Sequence, residues 1–229
     1  MNLLMKIIQV KNMIKQSFKL TIVTAAWNAE NLPRVFETTN KQTFKDWQHI
    51  IVNDNNPEVR ECMEALPDNP QRHWIDFRVR THYYGALARN AGVMAAFSYM
   101  HHSQRDIENE WIVFLDDDNS WEPDHLQSMI DAVSFNPDAV MVASDAVWIG
   151  RDDKTFREVK ECKLGHGRCD LGQFMYKTTL FRKYGFFDPH PRAKHKYDWN
   201  LLRKMFAGEP FEKIHFTDKP TFLMNYKKR

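Results

Sequence analysis

The residues with the clearest chemical potential are three adjacent carboxylates, Asp116-Asp117-Asp118, followed by Asn119-Ser120. Neighbouring carboxylates repel one another and persist only where water or a cation offsets their charge. A divalent ion held by one or two of them, with its remaining positions given to a diphosphate, is the arrangement of enzymes that expel a nucleotide as leaving group. The triplet follows the apolar run Trp111-Ile112-Val113-Phe114-Leu115, which has the length and composition of a buried strand. The acids therefore fall at a strand end. The competing reading is a solvated acidic turn ahead of the helix that Pro123 opens. A calcium-binding EF-hand loop would need Gly and Glu where Trp121 and Gln127 stand. An aspartyl-phosphatase motif lies near the N-terminus, whereas 115 residues precede this one.

The elements that position these acids alternate along the chain. Strands are expected at Phe18–Thr24, His49–Val52, Asp76–Val79, Trp111–Leu115 and Ala139–Ala143. Helices are expected from Asn31 to about Asn40 with Pro33 near the start, over Val59–Leu66, over Gly85–His101, and from Pro123 to about Phe135. Strands alternating with helices imply an α/β fold with a largely parallel sheet and helices on both faces. Ligands bind such sheets at the C-terminal strand ends. Three loops there carry polar residues: Ala25–Asn28, Asn53–Asn56 and Asp116–Ser120. Beyond about Gly150 the pattern weakens. Arg151–Asp170 reads as a hairpin or flap, and Leu171–Phe187 as an apolar stretch. A basic loop runs from His190 to Lys196, a helix from Asp198 to about Phe206, and late strands over Phe211–Phe216 and Thr221–Met224.

Composition bounds the function. The 229 residues suffice for one large domain. Lys and Arg number 32 against 30 Asp and Glu, a net charge of +2. That balance argues against a dedicated nucleic-acid binder. Cys62, Cys162 and Cys169 form no CxxC pair, which suits a reducing, cytoplasmic compartment. No apolar run approaches the ~20 residues that span a bilayer. Met1–Ser17 alternates apolar residues with Lys6, Lys11 and Lys15 and has no small-residue cleavage site. Residues 1–17 are read as a leader: either a solvated segment or a basic amphipathic helix in peripheral contact with the membrane inner face.

Several segments together carry a family resemblance. Thr24-Ala25-Ala26-Trp27-Asn28, the run from Thr38 to Trp47 followed by HIIVNDNN, and the helix at Gly85-Ala86-Leu87-Ala88-Arg89-Asn90-Ala91-Gly92 form the first part. VFLDDDNSWEPDHL and Tyr197-Asp198-Trp199-Asn200-Leu201 complete it. In this order they resemble family 2 glycosyltransferases of the inverting, GT-A type, from about Phe18 to about Met205. Asn53-Asp54 stands where the family has two acids, and Tyr197-Asp198 where it has Glu-Asp. The resemblance implies one GT-A domain over residues 18–229, with a nucleotide half to about residue 120 and an acceptor half after it.

It also implies roles. Asp118 is the expected direct ligand of Mn²⁺ or Mg²⁺, with Asp116 supporting the metal or the loop. Asp117 is expected to face the donor ribose or sugar. Trp27 is expected to stack on the base and Asp54 to accept a uracil N–H; the alternatives are a core Trp and a turn Asp. Ala25, Gly85 and Arg89 belong to the expected donor site, Arg89 touching phosphate or bracing the acids. Asp198 is the expected general base, although an Asp before Trp-Asn-Leu-Leu also suits a helix N-cap. Asp170 and Asp188 are the next carboxylates of the acceptor half. The basic loop of Arg192, Lys194, His195 and Lys196 would close over the diphosphate or remain a solvated run. His195 and His215 are candidate extra metal ligands, and His166 with Arg168 a candidate acceptor flap. The expected partners are a nucleotide-sugar donor, UDP-linked, and a glycan or lipid-linked acceptor. Two other readings are a sugar-phosphate nucleotidyltransferase, which would need a Gly-rich phosphate loop that TAAWNAEN lacks, and an inactive glycan- or nucleotide-binding protein.

Overall fold

A computed structural model describes residues 20–67, 69–81, 85–150, 157–190 and 196–226. The leader, and Arg192, Lys194 and His195 of the basic loop, lie outside the described residues.

The chain begins with the alternation that its apolar runs predict. Strands β1 (Leu20–Ala26), β2 (Trp47–Asn53), β3 (Arg72–Asp76) and β4 (Trp111–Phe114) are separated by helices α1 (Leu32–Asn40), α2 (Pro57–Glu64) and α3 (Ala86–His102). The four strands are parallel in the order β3-β2-β1-β4. Both faces of β1, β2 and β4 are covered, so these strands are mainly apolar instead of alternating strictly with polar residues. On one face Val23, Ile50, Ile112 and Phe114 meet Ala88, Val93 and Ala96 of α3. The opposite face buries Leu20, Ile22, Trp47, Trp111 and Val113. Alternate residues of β4 thus serve opposite cores, as a strand's two-residue period requires. Helix α3 lies close against β1: a Cβ on Gly92 would stand 2.4 Å from Val23 Cγ1.

The second half departs from a simple parallel continuation. It comprises β5 (Ser120–Trp121), α4 (His125–Phe135), β6 (Met141–Gly150), β7 (Arg157–Lys160), β8 (Phe174–Lys177), α5 (Thr178–Tyr184), α6 (Tyr197–Gly208) and β9 (Ile214–Tyr226). The full order is β3-β2-β1-β4-β8-β6-β9-β5, with β7 paired to β6. β8 enters antiparallel between β4 and β6, so the sheet is mixed and mostly parallel. The expected fifth strand therefore does not neighbour the fourth. The apolar stretch at residues 171–187 is not one element but a strand followed directly by a helix. Of the segment read as a hairpin or flap, Arg157–Lys160 forms β7, which pairs antiparallel with β6. The two expected late strands are one, bulged where Asp145 of β6 faces Pro220. The third strand also lies earlier than expected. β3 is an outer strand carrying the polar His73 and an exposed Trp74, and it ends at Asp76, opposite Asn53. Its apolar signal is weak because only one edge pairs and one face is wet. Among the described residues, no helix is long and apolar enough to cross a membrane.

Candidate active site

The C-terminal ends of β1, β2 and β4 open onto a cleft of about 560 Å³. Ala25, Ala26, Trp27, Asp54, Arg80, Gly85, Arg89, Asp116, Asp117 and Asp118 line it. The expected donor residues and the two expected Asp metal ligands are therefore in one place. Asp198 joins them indirectly, through Arg89.

The loop after β1 is held by side chains from two other strand ends. Asp117 Oδ2 accepts the backbone N–H of Trp27 at 2.8 Å and of Asn28 at 2.7 Å. This bracing occupies an oxygen expected to face the donor. The carbonyl of Trp27 accepts Asn56 Nδ2 at 2.6 Å. Asn53 in turn donates through Nδ2 to the Asn56 carbonyl at 2.9 Å and to Asp76 Oδ1 at 2.8 Å. A carboxylate at position 53 has no hydrogen to give either acceptor, which accounts physically for Asn here. Asp54 is buried and its Oδ1 accepts the Thr81 N–H at 2.8 Å. Trp27 is 40% exposed, so it is a cleft wall and not a core residue. The Arg80 guanidinium carbon lies 3.5 Å from its ring centroid.

Helix α3 brings the cation. Gly85 precedes it at φ 76°, and a Cβ there would meet Ala25 Cβ at 3.0 Å and Arg89 Nη1 at 3.3 Å. Glycine supplies both the left-handed turn and the close approach of helix to β1. One turn on, buried Arg89 donates through Nη2 to Asp116 Oδ1 at 2.5 Å. Its Nη1 lies 3.7 Å from Asp198 Oδ1. Burial opposes the Arg89 charge, but Asp116, Asp198 and Asp170 outweigh it and raise its pKa.

The carboxylates respond in kind. Burial raises Asp198 above the usual range, Arg89 lowers it and Asp116 raises it further. Its Oδ1 is shielded from solvent and accepts no hydrogen bond among the described residues. Asp198 does not cap α6. Lys196 takes the N-cap position, and Asp198 lies in the first turn. Asp170 is pushed up to about 7, first by burial and then by Asp116 and Asp198, against a hydrogen bond from Gly172 and the charge of Arg89. Burial also raises Asp117, against its two backbone hydrogen bonds.

The last acid is held from the far side of the sheet. Asn225 of β9 donates its side-chain amide to the Asp118 carbonyl, and its N–H to Asn119 Oδ1 at 3.3 Å. Among the described residues, no three His, Cys, Asp or Glu side chains group as a metal cage. His215 is half-buried on β9 opposite Val142 and is not among the lining residues. His166 packs edge-on against Trp199, beside Asp198, with ring centroids 5.6 Å apart.

The family model of glycosyl transferase family 2 matches residues 21–206, which contain every residue of this cleft. The chain belongs to glycosyl transferase family 2. Its relatives include the succinoglycan biosynthesis protein ExoO of Rhizobium meliloti (strain 1021), 26% identical over 175 residues, covering 74% of this chain and 46% of ExoO. The glucosyl-dolichyl phosphate glucuronosyltransferase of Haloferax volcanii is 23% identical, covering 77% of this chain and 58% of that protein. The chain spans about half the length of the first curated relatives it matches. Among solved structures, S. aureus TarS 1–349 in complex with UDP superposes with a TM-score of 0.71 at 13% identity, over 91% of this chain and 61% of that one. That likeness shows the GT-A fold.

Within this family 2 domain three participants were not legible as site residues. Arg80 follows a weak edge strand, and nothing local distinguishes it from the neighbouring Arg78. Asp170 was only a fallback base, since its neighbours in sequence give no hint of Arg89. Asn225 lies beyond the family match, and its contact with Asp118 depends on β9 running back across the sheet.

Proposed function

We propose that this chain is an inverting, metal-dependent glycosyltransferase that moves a sugar from a UDP-linked donor to a hydroxyl of a glycan or lipid-linked acceptor. The observation that carries this reading is the single cleft in which Trp27 and Asp54 face the acid triplet, with Asp198 tied to Asp116 through Arg89. The nucleotide complex of the TarS structure and the glycan-building names of the relatives support it. A nucleotidyltransferase would need a Gly-rich phosphate loop, whereas here Asp117 braces a loop without glycine. An inactive binding protein would have no use for a sheltered carboxylate beside the cleft.

In this reading Trp27 stacks on the base and Asp54 reads its edge. Asp118 and Asp116 fit a hard divalent cation: both are oxygen donors lining the cleft, too few to complete a coordination sphere, which leaves positions for diphosphate oxygens and water. Bound there, Mn²⁺ or Mg²⁺ supplies charge that offsets what develops on the leaving diphosphate. Arg89 adds fixed positive charge behind Asp116 and opposes the rise that burial imposes on the Asp198 carboxyl. Asp198 takes the acceptor hydroxyl's proton as the new bond forms. One displacement with one base inverts the anomeric centre. Calorimetry of UDP with and without Mn²⁺, paired with a donor-hydrolysis assay, tests the reading. Metal-dependent UDP binding with slow UDP release from a UDP-sugar is expected. No UDP binding under either condition overturns it.

A further inference from the structure

One face of the Trp27 indole is already covered. The Arg80 guanidinium carbon lies 3.5 Å from the indole centroid, well within cation–π range and close enough to leave no room for a base on that face. Both side chains line the same cleft, so a base and this guanidinium compete for one face. Arg80 is exposed, and among the described residues no carboxylate pairs with it. Its backbone is fixed on the far side: Thr81, the next residue, donates its N–H to Asp54 Oδ1 at 2.8 Å. Trp27 is fixed too, by Asp117 at its N–H and Asn56 at its carbonyl. The two backbones are therefore held while the long Arg80 side chain can change rotamer. The acids of the same cleft, Asp116, Asp117 and Asp118, would attract a displaced guanidinium only until a diphosphate arrives with more negative charge.

Resting on the reading of this cleft as a nucleotide site, we propose that Arg80 is an exchangeable cover of the base platform. An arriving nucleotide displaces it from Trp27, and the released guanidinium then contacts the diphosphate. The contact costs the nucleoside part of the ligand and rewards the phosphate part, so it discriminates nucleoside diphosphates from nucleosides. An exposed cation–π contact corresponds to about a two- to fivefold effect on competing binding. A charge-assisted hydrogen bond to phosphate is worth more than that, so the exchange favours the diphosphate.

The experiment is calorimetry of the full chain with uridine and with UDP, each with Mn²⁺, for wild type and Arg80→Ala. Arg80 is exposed, so the variant is expected to melt with wild type. Removing the cover should raise uridine affinity about two- to fivefold, while losing the phosphate contact should lower UDP affinity by about threefold or more. If wild type binds UDP but Arg80→Ala binds uridine no better, the cover is refuted and the nucleotide site stands. A rise in affinity for both ligands refutes the diphosphate contact. A fall for both makes Arg80 a fixed stacking layer and overturns the exchange. If wild type binds neither ligand, the nucleotide reading fails and the inference fails with it.

Discussion

The loops at the ends of β1, β2 and β4 are cross-braced by hydrogen bonds between main chain and side chain. Trp27 alone receives Asp117 at its N–H and Asn56 at its carbonyl. The carboxylates on the other side of the cleft are held differently. Asp170 comes from an irregular connection and Asp198 from the first turn of α6, and both converge electrostatically on one guanidinium, that of Arg89. The strand-end loops are thus fixed by many short contacts, each replaceable at modest cost. The side of Asp170 and Asp198 depends on one buried charge.

The sharpest way to break the comparison is Asp198→Asn. Lys196, not Asp198, occupies the N-cap of α6, so the fold should persist. UDP affinity should stay near wild type while transfer falls about 10²-fold or more. Near-wild-type transfer would move the base to Asp170. Next comes Asp118→Asn, which should weaken metal-dependent UDP binding by about tenfold to a hundredfold without lowering the melting temperature. Equal UDP titrations with Mn²⁺ for variant and wild type would remove Asp118 from the metal site. Trp27→Ala should cost about 1–3 kcal/mol of nucleotide affinity, the range of a base–aromatic stack. A variant that melts earlier yet binds UDP unchanged would make Trp27 purely structural.

The smallest effect concerns the electrostatic side. Asp170 carries a pKa of about 7 in the fold against an ordinary 3.8. Between those values the folded chain holds a proton that the unfolded chain has lost, so this group's contribution to stability falls as pH rises through that window. Asp170→Asn mimics the protonated form and retains a capping oxygen. Without added metal it should melt well above wild type near about pH 8, by a smaller margin near about pH 5, and level with it only below about pH 4. A shift of equal size at both pH values would show that the buried like charges are not its cause.

The parallel half was legible because its strands are buried on both faces and therefore stand out as apolar runs. β1, β2 and β4 lie close to where those runs end, and the acid triplet falls at a strand end as its position demands. β3 was misplaced because an outer strand needs little apolar character, and its last residue, Asp76, is spent on Asn53 and Arg60. The β8–α5 segment was missed as two elements because a buried strand and a buried helix share the same local composition.

By itself the sequence determined which chemistry is available. It set three acids at a strand end, a glycine and an arginine at a helix start, and an aspartate near the start of α6, because strand length, helix period and turn residues are local properties. The tertiary structure decided what each group does with its charge. Asp117 and Trp27 are 90 residues apart in the chain, and Asp118 and Asn225 are 107 apart. Whether a carboxylate faces ligand, accepts main-chain N–H groups or shares a guanidinium depends on neighbours that only folding supplies. The same holds for Arg80: its charge is written in the sequence, but its place on the face of Trp27 follows from how β1 and the segment after β3 end side by side.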